Sequence, residues 1–320
     1  MAAATQFPHV VRTGLAQCLG LSEAQIRVIS PDVGGGFGYK AILAAEEVCL
    51  CWLALRCGHA VRWIEDRREH LTANANCREH HYNITAYADD DGRLLAIDAE
   101  CIVDSGAYSA YPFTAAIEAS QVSAILPGPY DLTGYRCRSY AVATNKAPIL
   151  PYRGVARPGV CYAMELMIDA VARAANIEPW KVRLRNLVPP NAMPYDNITD
   201  KHFDSGDYPE LLRRAVEAID IERVRTRQQQ GEPDGRLIGV GLASLSEQTA
   251  HGTTADGNKR ALHELAMARL TPDGNLELRV GVHTHGQGLE TTLSQIAHQV
   301  LGIDPEHVRV VHGDTALTPY

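Results

Sequence analysis

The stretch "IRVISPDVGGGFGYKAILAAEEVCLCWLALRCG", residues 26–58, decides how this chain is read. At its centre Gly34, Gly35, Gly36 and Gly38 surround one aromatic, Phe37, between an apolar run and an alanine-rich run. Residues 26–29 predict a short strand. Residues 40–57 predict a helix closed by Gly58, the residue type that helices favour just past their ends. Consecutive glycines permit positive φ and let a backbone approach its partner with no Cβ in the way. Their amides, at a helix N-terminus, favour an anion or a ligand oxygen or sulfur. A phosphate P-loop needs G-x-x-x-x-G-K-[ST], but Tyr39 separates Gly38 from Lys40 and Ala41 stands where the hydroxyl belongs. The run from Gly36 to Ala41 does fit the dinucleotide pattern G-x-G-x-x-[GA], with Glu65 or Asp66 available as the ribose acid. A third reading is a structural turn with Phe37 tucked into the core. Taken alone, the loop leaves these readings open beside that of another cofactor.

Working outward, the 320 residues suffice for a large core and suggest two domains or one big one. The composition, 46% hydrophobic and 21% charged, is that of an ordinary folded protein, and no apolar run is long enough to span a bilayer. A formal charge of −8 argues against nucleic acid or an anionic membrane as main partner. The first residues show no basic segment followed by an apolar one, so no secretory signal is read and a cytoplasmic location is expected. Eight scattered cysteines, none in a C-x-x-C pair, predict reduced core thiols rather than disulfides, zinc or an iron–sulfur cluster.

Periodicity predicts a mixed α+β chain. Helices are expected over 8–19, 160–175 (followed by the stretch 178–188) and 209–229, a strand over 60–65, and β-hairpins over 82–103 and 265–282. Residues 228–236, "QQQGEPDGR", have linker composition. The domain reading is 1–190, a connecting segment 191–235, and 236–320. A partial repeat supports two similar helix–strand subdomains: "LAQCLGLSEAQIRVIS" (15–30) matches "IAHQVLGIDPEHVRVVH" (296–312), each with a glutamine near the helix start, Gln6 and Gln287. The alternating His283 and His285 resemble a metal pair on a strand but are read as structural, and His80-His81 as a strand edge.

Five motifs occur in order: "ATQFPHVV…LGLSEAQIRVISPDVGGGFGYK", "RWIEDRREHL", "DSGAYSAY", "NKAPILPYRGVARPGVCYAMELMIDAVARAANIEPWKVRLRNLV" and "HTHGQGLETTLSQIAHQVLGI…VRVVHGDT". Together they resemble the molybdenum-binding large subunit of the xanthine dehydrogenase / aldehyde oxidase / carbon monoxide dehydrogenase family over nearly the whole chain. That resemblance implies a molybdenum–pyranopterin cofactor, often extended by cytosine dinucleotide in bacterial members, held through the pterin and not by protein ligands. It implies hydroxylation with water-derived oxygen, electrons leaving to [2Fe–2S] and FAD partner subunits, and a dimer of heterotrimers. On the family's pattern, Gln6 contacts an oxygen ligand of the metal, and Gly35, Gly36, Phe37 and Gly38 line the cofactor. Arg153 of "PYRGVARP" sits beside the metal, and Gly286, Gln287 and Gly288 hold the pterin. The lesser alternatives read Gln6 as a helix-start residue, Arg153 as an ion-pair partner and Gln287 as a helix cap.

Departures narrow the chemistry. Xanthine-oxidising members carry a glutamate where Ala41 stands, a substrate arginine where Gln121 stands, and an aromatic where Val155 stands. The copper-dependent carbon monoxide enzymes place a cysteine where Gly154 stands. An aldehyde or an N-heterocycle therefore remains the expected substrate. Nothing in the chain matches the family's general-base glutamate, so the chain is expected to be a central fragment, inactive by itself. The rival expectations are an NAD(P)-dependent dehydrogenase and a non-catalytic relic of the fold.

Overall fold

A computed structural model of the chain describes residues 1–74, 76–247 and 265–320. Helix α1 (Pro8–Leu19) is followed by α2 (Ala45–Cys57) and by α3 (Arg67–Glu69), a single turn whose N-cap Asp66 accepts from the Glu69 amide at 2.7 Å. The first sheet then begins with a hairpin, β1 (His80–Ala88) antiparallel to β2 (Leu94–Gly106). Its turn is set by the Asp89 carboxylate, which accepts from the amides of Asp91 and Arg93, and by Gly92 at φ 78°. From β2 the chain passes through α4 (Ile117–Ile125) and returns as β3 (Gly134–Ala143), parallel to β2. Helix α5 (Arg157–Ala175) lies against β1, followed by α6 (Pro179–Asn186).

The largest core fills the space between sheet and helices. Leu94, Ile97, Ala99, Cys101 and Val103 of β2 meet Val122 of α4, Val160, Met164 and Ile168 of α5, and Val182 of α6. Alternate residues of β2 point inward, as a strand requires. Each fully buried Leu or Ile there stabilises the fold by roughly 1.5–3 kcal/mol. A two-residue ribbon, β4 (Tyr195–Asp196) with β5 (His202–Phe203), precedes α7 (Tyr208–Ala218) and α8 (Ile221–Gln230). Arg183 of α6 is wholly buried, donating to Glu165 at 2.7 Å, to Asp169 at 2.8 Å and to the Leu242 carbonyl at 2.9 Å. It thereby anchors the segment beyond α8 to the first core.

The second sheet repeats the plan of the first: β6 (Ala266–Leu270) and β7 (Leu276–Val280) form a hairpin, and α9 (Leu289–Leu301) leads to β8 (Val308–Val311), parallel to β7. This is the expected mixed α+β architecture with two similar helix–strand units. Helices α1 and α9 end alike on glycines, Gly20 at φ 66° and Gly302 at φ 70°, each followed by one tight turn and an extended segment. The first of these segments meets the stretch just beyond β8. Ile29 bridges Asp314, Arg27 grips the Asp314 carboxylate at 3.0 and 2.5 Å, and the Thr315 amide donates to the Val28 carbonyl at 3.0 Å.

Several expectations need correction. Residues 26–29 form no ladder strand; only Ile29 bridges, to Ala2 on one side and Asp314 on the other. Residues 60–65 are not a strand. The helix expected from Lys40 starts at Ala45, because Ala41, Ile42 and Leu43 are buried and the Leu43 amide is drawn to the Tyr111 carbonyl. The helix over 209–229 is two, broken at Asp220, which takes φ 49° and caps the Arg223 amide. All eight cysteines are free, but only Cys101 is buried. Among the described residues no helix is long and apolar enough to cross a membrane.

The "DSGAY" motif ends β2 in a clip. The Asp104 carboxylate accepts from the Thr144 hydroxyl at 2.6 Å and the Gly106 amide at 3.0 Å, which holds its pKa down at about 2. At Gly106, φ is 64° and a Cβ would sit 1.9 Å from the Ala147 carbonyl oxygen. Replacing it with alanine should therefore cost about 2–4 kcal/mol of stability, read as a lower urea midpoint with unchanged slope; a midpoint within error of the parent would contradict this packing.

Candidate cofactor site

The glycine loop is a tight double turn, with the Tyr39 amide on the Gly36 carbonyl and the Ala41 amide on the Gly38 carbonyl, both at 3.0 Å. Its glycines have different reasons to be there. A Cβ on Gly36 would stand 2.5 Å from Gln6 Oε1, and one on Gly38, at φ 97°, would stand 2.7 Å from the Pro151 carbonyl oxygen. Gly35 takes φ 118° beside the Phe37 ring, whereas a Cβ on Gly34 would meet nothing within 4 Å. Phe37 itself holds φ 53° and is 51% exposed, so the turn with a core phenylalanine is not what the chain builds. Its ring instead stacks beside Tyr152, centroids 6.2 Å apart. The dinucleotide reading also loses its context, because neither 26–29 nor 60–65 is a ladder strand flanking the loop.

Gln6 lies just before α1, its amide N–H on the Lys40 carbonyl at 2.8 Å. Its side-chain oxygen accepts the Gly38 amide at 2.8 Å, and its Nε2 lies 3.3 Å from His285 Nε2. It is thus more than a helix-start residue. The loop carrying Arg153 crosses the same turn: the Arg153 amide donates to the Phe37 carbonyl at 2.8 Å. Its side chain is exposed, and no carboxylate is paired with it among the described residues. Gly154 at φ 86° and Val155 at φ 51° follow it. A β-branched residue in that region is sterically disfavoured by about 1–3 kcal/mol, strain of a kind that gathers at functional sites. Of the substrate-pocket candidates, Ala41 is buried beneath the loop, and Gln121 reaches the Arg153 loop, its Oε1 3.4 Å from the Ala156 amide.

Behind this loop stands a support that sequence reasoning missed. Arg78 donates to the Arg153 carbonyl and lies 4.7 Å over the Tyr152 ring. Its own amide donates to Glu118 Oε2, which also lies 2.6 Å from His80 Nε2, with both of those side chains buried. Only the Arg-x-His spacing at the head of a strand hinted at it.

Gly286, Gln287 and Gly288 form the turn into α9, with Gly288 at the N-cap position. Gln287 does not cap the helix; it folds back, accepting from the His285 amide at 2.7 Å and donating to the His283 carbonyl at 3.3 Å. His283 and His285 lie in this loop and not on a strand. Burial, with the neighbouring His312 second, lowers the His283 pKa. Among the described residues no group of three His, Cys, Asp or Glu is placed to hold a metal ion. The structure therefore brings Gln6, the glycine loop, the Arg153 loop and, through His285, the 283–288 turn to one place. Its donors are backbone amides, neutral side-chain amides and one exposed guanidinium, a set suited to an anionic, oxygen-bearing group.

That fold and donor set define a cofactor-binding unit of the molybdenum hydroxylase class. Two family models, both described as molybdopterin cofactor-binding domains, match residues 1–187 and 214–320, and the chain belongs to this family. It is 32% identical to the nicotine 6-hydroxylase large subunit of Paenarthrobacter nicotinovorans, over 99% of this chain and 39% of that protein. To the carbon monoxide dehydrogenase large chain of Hydrogenophaga pseudoflava it is also 32% identical, over 99% and 40%. The crystal structure of quinoline 2-oxidoreductase from Pseudomonas putida 86 superposes with a TM-score of 0.93 at 36% identity, covering all of this chain and 42% of that one. The chain spans about two-fifths of the length of the relatives it matches.

The glycine geometry separates two substitutions that look alike in sequence. Gly36→Ala should push the Gln6 amide off Gly38, speeding hydrogen exchange at the Gly38 amide roughly tenfold. Gly34→Ala should leave that amide unchanged, and equal effects of the two would contradict the arrangement.

Proposed function

We propose that this chain is the molybdopterin-binding part of the large subunit of a hydroxylase that acts on an electron-poor ring carbon of an N-heterocycle. The observation that carries the reading is the Gln6 amide held between the Gly38 N–H and His285, beside a loop with an exposed Arg153. The likeness to nicotine 6-hydroxylase and quinoline 2-oxidoreductase supports an N-heterocycle over an aldehyde. Ala41, Gln121 and Val155 speak against xanthine, and Gly154 against a copper-dependent carbon monoxide reaction.

When bound, the molybdenum–pyranopterin, in its plain or cytosine dinucleotide form, supplies oxygen transfer from water and a two-electron redox capacity. The chain's own residues bind and orient it. Gln6 offers an amide N–H to an oxygen of the cofactor without adding a titrating charge. The loop backbone from Gly35 to Gly38 would lie against the cofactor, with the rings of Phe37 and Tyr152 available to cover that side. Arg153 contributes a positive charge beside it. Gly286, Gln287 and Gly288 shape the second wall, with Gly286 and Gly288 at φ 106° and 75° allowing close backbone approach. On this reading residues 1–190 and 236–320 are the two cofactor-binding units, joined by 191–235. Electrons pass to [2Fe–2S] and FAD subunits in a cytoplasmic dimer of heterotrimers.

The test is product oxygen. In the intact enzyme that contains this chain, hydroxylation of quinoline or a pyridine in 18O-labelled water should place the label in the product, with stoichiometric molybdenum bound. Gln6→Ala should lower kcat by roughly 10²-fold. NAD(P) binding in place of molybdenum, or label arriving from O2, would contradict the proposal.

A further inference from the structure

We infer that His285 is a positioning residue which fixes the amide orientation of Gln6, and so carries the second half of the chain into the cofactor wall built by the first. The inference rests on the proposed function for its purpose, but its geometry stands on hydrogen-bond chemistry alone. Four groups lie in a row: the Gly38 amide, the Gln6 side chain, the His285 ring and the His283 carbonyl. The two ends admit no ambiguity. A backbone N–H can only donate, so the Gln6 atom 2.8 Å from it is the carbonyl oxygen. A backbone carbonyl can only accept, so His285 Nδ1, 3.2 Å from the His283 oxygen, carries its proton. Neutral His285 then has its lone pair on Nε2, and the Gln6 Nε2 donates to it across 3.3 Å.

Every donor in the row meets an acceptor, which leaves one Gln6 N–H to offer a ligand. The opposite amide orientation would set the Gln6 NH2 against the Gly38 N–H, donor against donor. It is refused at both ends, because the Gln6 oxygen would also face the bare Nε2 of His285, acceptor against acceptor. A further brace keeps His285 in place, because its own amide donates to Gln287 Oε1 at 2.7 Å while Gln287 Nε2 donates to the same His283 carbonyl at 3.3 Å. Gln287 thus acts on the Gln6 side through His285, and the two glutamines of the internal repeat are linked by one histidine.

The tautomer is read directly on the full 320-residue chain labelled with 15N-histidine. Long-range proton–nitrogen correlation should find His285 neutral with Nδ1 protonated and Nε2 bare; an Nε2–H tautomer overturns the inference without any variant. Two substitutions of this half-buried side chain add a functional readout. His285→Gln restores an acceptor oxygen and should keep Gly38 amide exchange within about twofold of the parent, while His285→Lys offers only donors and should speed it roughly tenfold. Equal exchange in the two variants overturns the inference. Neither readout needs bound cofactor. If the chain takes up no molybdenum yet both results hold, the proposed function fails alone; if molybdenum is bound while Gly38 ignores residue 285, the positioning role fails alone.

Discussion

The hydrogen bond from the Gly38 amide to the Gln6 side chain, made across a Gly36 that has no Cβ, is the contact on which the site depends. It binds the residue before the first helix to the turn after the first extended segment. Three glycines in a row look like a surface for a ligand, yet Gly36 is needed for the protein's own glutamine and Gly38 for the Pro151 carbonyl. Close packing of backbone on side chain comes first, and the proposed cofactor wall would be a consequence of it.

Strain is concentrated around that contact. Phe37 and Val155, both bulky and both at positive φ, flank Arg153, whose backbone is held from two sides by the Phe37 carbonyl and the Arg78 guanidinium. Such conformations persist only where surrounding structure over-determines them. Here the buried Glu118 takes that part, receiving the Arg78 amide and His80 together. The Asp104 clip at the end of β2 and the buried Arg183 tie together the rest of the first unit behind the site.

Much of the fold was legible in the sequence, and the failures share a cause. The β1–β2 and β6–β7 hairpins and the α5 helix follow from alternation, turn residues and amphipathic periodicity, all of which are local. Residues 26–29 and 60–65 have strand-like composition, but whether an extended segment joins a ladder depends on a partner that local pattern does not reveal. Helix α2 starts late because Ala41, Ile42 and Leu43 are claimed by tertiary packing. At the candidate site, Gln6, the glycine loop, Arg153 and the Gly286–Gly288 turn were singled out through the family's ordered motifs, and their role toward a cofactor is the proposal made above. Their contacts were not: Gln6 reaches His285 across 279 positions of sequence. Arg78, Tyr152 and Glu118 act through neighbours distant in the chain, and no spacing rule points to them. Left-handed φ at Phe37 and Val155 runs against the preference of those residue types.

The most direct measurement is the position of the metal. Diffraction from the molybdenum-loaded enzyme containing this chain, with anomalous scattering recorded at the molybdenum edge, locates it without reference to any assigned role. The account predicts a single strong peak within hydrogen-bonded reach, through one oxygen ligand, of Gln6 Nε2, bordered by Phe37, Gly38 and the Arg153 loop, with Gln6 Oε1 still on the Gly38 amide. A peak elsewhere in the fold, or a Gln6 side chain turned away from Gly38 in the loaded state, would contradict it.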